Sequence, residues 1–263
     1  MFRPVSFSTI AIILLCCIAA AFVVRSQFAA GADGGIGPSA KRFTFVIVHG
    51  AYGGGWSWKE VDDLLRADGH TVFRPTLTGQ GERAHLASTN VGLDTHITDI
   101  VNVIRYENLH DVVLVGHSYG GMVITGVAQQ VPDRISRLIY LDALLPVDGE
   151  SVNTLFPKEK RVIKDGFVVP TWKVPDEPPG DVAQSAKTFS DVISVKNPEA
   201  GKIPGDYILF VSPGTKMEDA HFYPFYQRAN GRGWGTFMLA SDHNAWRSHP
   251  KELVELLEKI VEK

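Results

Sequence analysis

Ser118 sits in the run Gly116-His117-Ser118-Tyr119-Gly120, a hydroxyl held between glycines. Where a G-x-S-x-G joins a buried strand to a helix, the serine is forced into a strained backbone, and residues two positions away must lack bulk. Such a turn lifts the hydroxyl clear of a sheet and aims the following N–H groups at whatever bonds to it, as a nucleophile in acyl transfer needs. A second glycine-rich run, His49-Gly50-Ala51-Tyr52-Gly53-Gly54-Gly55-Trp56, lets backbone come close to a ligand and present an N–H to a developing oxyanion. The backbone N–H groups of Ala51 and Tyr119 are the expected donors. Each run taken alone could be a plain glycine turn. Their places at strand ends ahead of helices favour the chemical reading.

Positioning these groups requires a scaffold, and the hydrophobic pattern supplies one. Residues 43–48 (FTFVIV) and 112–115 (VVLV) are short, continuous apolar runs of the kind a buried parallel strand gives. Between them Trp58, Val61, Leu64 and Leu65 fall at helical spacing, a short strand at 71–74 ends at Pro75, and Ile97, Ile100, Val101 and Ile104 mark a helix with one apolar face. A helix from the serine turn to about 130, strands at 137–141, 207–211 and 236–240, a polar-aromatic helix around 219–229 and a last helix from Pro250 complete the rhythm. The expectation is an α/β fold: a mostly parallel central sheet with helices on both faces. The alternation breaks at about 147–205, where seven prolines follow Pro146 without a sustained period. That stretch reads as a small cap inserted over the sheet of one domain spanning 43–263. Its Phe156, Trp172 and Phe189 are expected to roof an apolar pocket, with Tyr52, Trp58, Phe222, Tyr223 and Trp246 as further lining.

Composition narrows the remaining choices. The chain has 263 residues, 44% hydrophobic and 21% charged, with a formal net charge of −3. Disordered and fibrous classes are excluded, and no basic footprint for nucleic acid exists. Both cysteines, Cys16 and Cys17, lie in the apolar run 10–24, so neither a disulfide framework nor a cysteine-ligated zinc is expected. Arg3, that run and the small residues Ala30-Gly31-Ala32 read as a cleavable export signal over 1–32, followed by a glycine-rich lead-in, 33–42. The rival reading is an uncleaved membrane anchor. Gly79-Gln80-Gly81-Glu82-Arg83-Ala84 resembles a dinucleotide fingerprint only in letters, because it does not follow the first strand and opens no apolar helix; it is expected to be a loop near the site mouth. His, Asp and Glu show no metal-binding spacing. No cofactor and no metal are expected, and the partner is a small-molecule ester.

The runs HGAYGGGWSWKEVDDLLRADGH, VVLVGHSYGGMVITGVA and RLIYLDALLP resemble α/β-hydrolases of the subgroup that holds plant methylesterases, hydroxynitrile lyases and bacterial esterases. The resemblance is strong over 43 to about 147 and loose in the C-terminal third. It implies a serine esterase with Ser, acid and His in that chain order. His243, in Ser241-Asp242-His243-Asn244 after the last strand, matches the family's histidine and would take the serine proton and return it to the leaving group. His249 is its nearest rival but abuts Pro250 and suits a helix start; His221 is on or near a helix. The acid departs from the commoner family pattern. No carboxylate follows the strand at 207–211 until Glu218 and Asp219. Asp142, at the end of the strand after the nucleophile's helix, is where certain haloalkane dehalogenases keep theirs. Asp142 is favoured, with Glu218 or Asp219 as alternatives. Lyases of the subgroup carry a threonine and a lysine where this chain has Gly50 and Asn244, which argues for hydrolysis over cyanohydrin lysis. A non-enzymatic ligand sensor on the same scaffold is the remaining rival, and an export signal speaks against it.

Overall fold

In the computed structural model, which describes residues 41–263, strand periodicity sorts side chains onto two faces. Along β1 (Thr44–Val48), Phe45 and Ile47 join a core with Val61 and Leu65 of α1 (Lys59–Ala67) and Leu253 and Leu257 of α5 (Pro250–Val261). Val46 and Val48 face the opposite core, with Ile97 and Ile100 of α2 (Leu93–Tyr106), Met122 and Val123 of α3 (Gly120–Gln130) and Ala229 of α4 (Tyr223–Gly231). The same split continues in β3 (Val112–His117), β4 (Ile135–Leu141) and β8 (Gly205–Val211). A strand buried on both faces must be apolar throughout, which is why FTFVIV shows no alternation.

With the edge strands β2 (Thr71–Phe73) and β9 (Gly235–Ala240), the sheet order is β2-β1-β3-β4-β8-β9, and all five pairings are parallel. The chain moves outward from β1 to β2, then returns across β1 to β3 and continues the other way. That reversal opens a crevice beyond the carboxyl ends of β1 and β3. The loops leaving those two ends carry Ala51 and Ser118.

The segment between β4 and β8 has structure that the sequence reading passed over. Three two-residue strands, β5 (Ile163–Lys164), β6 (Phe167–Val168) and β7 (Gln184–Ser185), form an antiparallel sheet in the order β5-β6-β7. Asp165 and Gly166, with φ of 48° and 83°, make the turn between β5 and β6, the two-residue hairpin that Asp-Gly favours. Single helical turns at Val152–Leu155 and Lys187–Ser190 flank this sheet. The leader expected over 1–32, and the lead-in up to residue 40, lie outside the described residues.

Candidate active site

Ser118 occupies the turn from β3 into α3 with φ 53°, in the left-handed region. Its N–H donates to the Leu141 carbonyl (3.3 Å), and its own carbonyl accepts from the N–H groups of Gly121 and Leu144, both at 3.1 Å. The strained conformation is therefore braced by the segment leaving β4. Gly120 makes the close approach possible: a Cβ there would lie 2.5 Å from the Val48 carbonyl oxygen and 2.9 Å from that of His49. At Gly50 a Cβ would come within 3.0 Å of the Ser118 Cβ, so no threonine fits beside the serine without displacing it.

Asp142 leaves β4 with φ 42° and is 5% exposed. One carboxylate oxygen, Oδ2, is 2.6 Å from His243 Nδ1; the other accepts from the Phe210 N–H at 3.2 Å. Among the described residues no other carboxylate pairs with His243. Asp219 lines the same cavity but is exposed, and Glu218 is exposed away from it. The Asp142 contact assigns the proton to Nδ1 and leaves Nε2 of His243 free to accept. The loop carrying His243 is clamped from three sides. Ser241 N–H donates to the Val211 carbonyl, Asn244 N–H donates to Asp242 Oδ1, and His117 Nε2 donates to the His243 carbonyl at 2.8 Å. Burial pushes the His117 imidazole well below its usual range, so it stays neutral and holds that one proton for the bond. Phe222 stacks on the His243 ring at 4.9 Å and 5°, fixing its plane. No direct hydrogen bond joins Ser118 Oγ to His243, though both line one cavity; such bonds are often long before substrate binds.

Neither the Ala51 nor the Tyr119 N–H donates a hydrogen bond to any described residue. Their surroundings fix both. His49 donates from Nδ1 to the Gly50 carbonyl (2.7 Å) and accepts at Nε2 from the Leu77 N–H (3.1 Å), while burial lowers its pKa to about 4. Tyr52, at φ 68°, gives its N–H to Gln184 Oε1 and receives the Val182 N–H on its carbonyl. The Tyr119 hydroxyl donates to Nδ1 of buried His96, whose Nε2 donates to the Thr78 carbonyl. No motif or spacing in the sequence marks a role for His96 or Gln184.

A cavity of about 730 Å³ is lined by Ser118, His243, Asp142, Ala51 and Tyr119 together. The expected lining residues Tyr52, Trp58, Phe156, Trp172, Phe189, Phe222 and Trp246 all face it. Tyr223 does not; it turns away to stack on Tyr226 at 6.0 Å. The segment 79–84, expected as a loop, runs into a 3-10 helix at Gly81–Leu86 and stays outside the lining as well, with Gln80 tied to the cap through the Ala183 carbonyl. The apolar roof also proves to be charged. Glu159 bridges Arg161 (2.6 Å) and His221 (2.9 Å), and Asp181 receives the Trp172 indole N–H at 2.9 Å. His221, set aside as a helix residue, stacks on Phe156 at 4.5 Å within this lining.

The parallel sheet, the strained serine turn at its switch point and the acid–histidine pair beside it define an α/β-hydrolase. The chain belongs to the alpha/beta hydrolase family, whose model matches residues 45–256. By sequence it is similar to a carbendazim hydrolyzing esterase from Nocardioides sp., 54% identical over 114 residues, 43% of this chain and 47% of that protein. The alignment thus spans about half the length of that relative. A pheophorbidase from Raphanus sativus is 28% identical over 88% of this chain and 98% of its own. Among solved structures, an extracellular α/β-hydrolase from a Paenibacillus species is 27% identical, with a TM-score of 0.66 over 82% of this chain and 98% of that one. The family, these relatives and the fold are those of a hydrolase.

Proposed function

We propose that the protein cleaves carboxylic esters by acyl transfer through Ser118. His243 Nε2 takes the Ser118 proton as Oγ bonds to the ester carbonyl carbon, and the carbonyl electron pair moves onto oxygen. The free N–H groups of Ala51 and Tyr119 receive that oxyanion, each such donor being worth about 10²–10³ in turnover. Asp142, held by the Phe210 N–H, fixes the tautomer of His243 and stabilises the imidazolium. The imidazolium then gives its proton to the departing alkoxide, the tetrahedral intermediate collapses, and an acyl-serine remains. Water, deprotonated by the same nitrogen, releases the acid and restores the hydroxyl. What supports these steps is that Ser118, His243, Asp142, Ala51 and Tyr119 line one cavity.

The observation that carries this reading is the 2.6 Å contact between His243 Nδ1 and Asp142 Oδ2, made beside a serine in the left-handed turn. The test is Ser118→Ala assayed on p-nitrophenyl acetate and butyrate. Hydrolysis is expected to fall by about 10³-fold or more with folding unchanged; undiminished hydrolysis would remove the nucleophile. We further infer that residues 1–32 direct export and are cleaved. The supporting features are Arg3, the apolar run 10–24 and the small residues at 30–32. N-terminal sequencing of the cell-exported protein is expected to begin at Asp33, and a start at Met1 would favour the anchor.

A further inference from the structure

Among the aromatic rings of the cavity roof stands a half-buried cation. The Arg161 side chain is 13% exposed, and its guanidinium lies 5.2 Å from the centre of the Phe189 ring. Nη2 donates to Glu159 and Nη1 to Asn153 Oδ1 at 3.1 Å, while Nε donates to no described residue. A guanidinium has five N–H donors, so this one keeps capacity to spare. Phe189 in turn is flanked by the rings of Tyr52 and Tyr119, at 6.0 and 6.1 Å. One of these residues follows the Ala51 amide and the other bears the second oxyanion amide. Arg161 is thus connected, through the Phe189 ring, to the two residues beside the oxyanion site. Tyr52 lines the same cavity, and its hydroxyl has no hydrogen-bond partner among the described residues. Burial raises its pKa to about 12 despite the opposing charge of Arg161, so it remains a donor. Glu159 and Asp181 share this lining, and the local charge is therefore not positive. Two donors without excess positive charge suit a neutral acceptor better than a carboxylate.

We propose that Tyr52 and Arg161 are specificity-determining residues that select aryl esters whose ring bears a neutral hydrogen-bond acceptor, such as a ketone or amide oxygen. The proposal rests on the ester-hydrolase reading and names the substrate class for it. The aryl ring lies among Phe156, Trp172 and Phe189, and the acceptor takes its bonds from the Tyr52 hydroxyl and the free edge of Arg161. An ester lacking the acceptor leaves these donors desolvated and unpaired, which is the strongest form of discrimination a pocket can make.

The test is calorimetric binding to Ser118→Ala protein, which does not consume the ester. The probes are methyl benzoate, methyl 3- and 4-acetylbenzoate and monomethyl terephthalate, with phenyl acetate and its 3- and 4-acetyl derivatives covering an aryl alcohol part. At least one acetyl-bearing ester is expected to bind about tenfold more tightly than its parent, and monomethyl terephthalate no more tightly than methyl benzoate. Adding Tyr52→Phe or Arg161→Met should bring the ratio close to one. Equal binding of all neutral probes, preference for the carboxylate, or a ratio untouched by both substitutions would overturn the pair. Should Arg161→Met fail to fold, Tyr52→Phe removes one oxygen only and decides the matter. Wild-type turnover of p-nitrophenyl acetate, measured alongside, separates failure of the hydrolase reading from failure of this one, because the binding ratios report on the cavity either way.

Discussion

The turn that carries Ser118 and the segment that roofs it, about 147–205, hold their shapes by different means. At the turn, backbone meets backbone: Gly120 lies against the carbonyls leaving β1, and Ser118 is pinned through three main-chain hydrogen bonds to Leu141, Gly121 and Leu144. In the roof, side chains add to main-chain bonds such as that from the Val182 N–H to the Tyr52 carbonyl. Arg228 reaches from α4 to both oxygens of Glu150, Gln129 receives the Asn197 N–H, and Gln184 ties β7 to Tyr52. Main-chain contacts leave no room to trade residues, so the turn keeps one chemistry. Side-chain contacts can be exchanged singly, so the roof is where substrate choice can be adjusted without losing the sheet.

That contrast can be broken by substitution, beginning at the catalytic edge. Asp142→Asn keeps the shape but offers His243 Nδ1–H a poorer partner, and kcat on p-nitrophenyl acetate is expected to drop by about 10⁴ with little change in KM. A loss below tenfold would return the acid's role to Asp219 or Glu218. Next in size is a glycine pair. Gly120→Ala drives a Cβ to 2.5 Å from a main-chain oxygen, whereas Gly201→Ala in the roof meets nothing within 4 Å. Urea unfolding should show the first losing about 4 kcal/mol and the second about zero; equal losses would erase the distinction.

Acid should act on the turn side as well, through His49, His96 and His117, whose pKa values burial lowers. Above the ordinary histidine value of 6.5 both folded and unfolded chains hold these rings neutral, and their contribution is full. As pH falls from there toward about 4, the unfolded chain takes up a proton that folded His49 refuses, and stability declines by about 3 kcal/mol for this ring alone. Unfolding midpoints constant between pH 8 and pH 5 would contradict it. The smallest effect is expected in the roof. Trp172→Ala removes a half-exposed ring whose partners are Tyr52 and Asp181, and it should change KM for small esters a few-fold while leaving kcat and stability nearly intact.

The same division explains what could be read without coordinates. FTFVIV and VVLV reveal buried strands because both faces are covered, and the serine turn shows itself because sterics demand glycine there. Asp142 and His243 were within reach through their strand ends. The bond from His117 to the His243 carbonyl was not, since it joins residues 126 positions apart and leaves no local trace. Arg161, Glu159 and His221 meet only through the roof's packing, and no periodicity announces it. The β5–β6 hairpin had a signal in Asp165-Gly166, but strands of two residues are too short for alternation to declare them. Tyr223 was misplaced because Phe222, its neighbour in sequence, takes the place over His243 and the next side chain points elsewhere.

The central claim is that one hydroxyl, Ser118, becomes covalently acylated. Mass spectrometry of the protein treated with a fluorophosphonate measures this most directly, when the extent of labelling is followed against remaining ester turnover. The account predicts a single adduct on the peptide containing Ser118, activity lost in step with its formation, and no labelling of Ser118→Ala. Full turnover by protein that is completely labelled at Ser118, or an adduct on another residue that tracks the loss of activity, would contradict it.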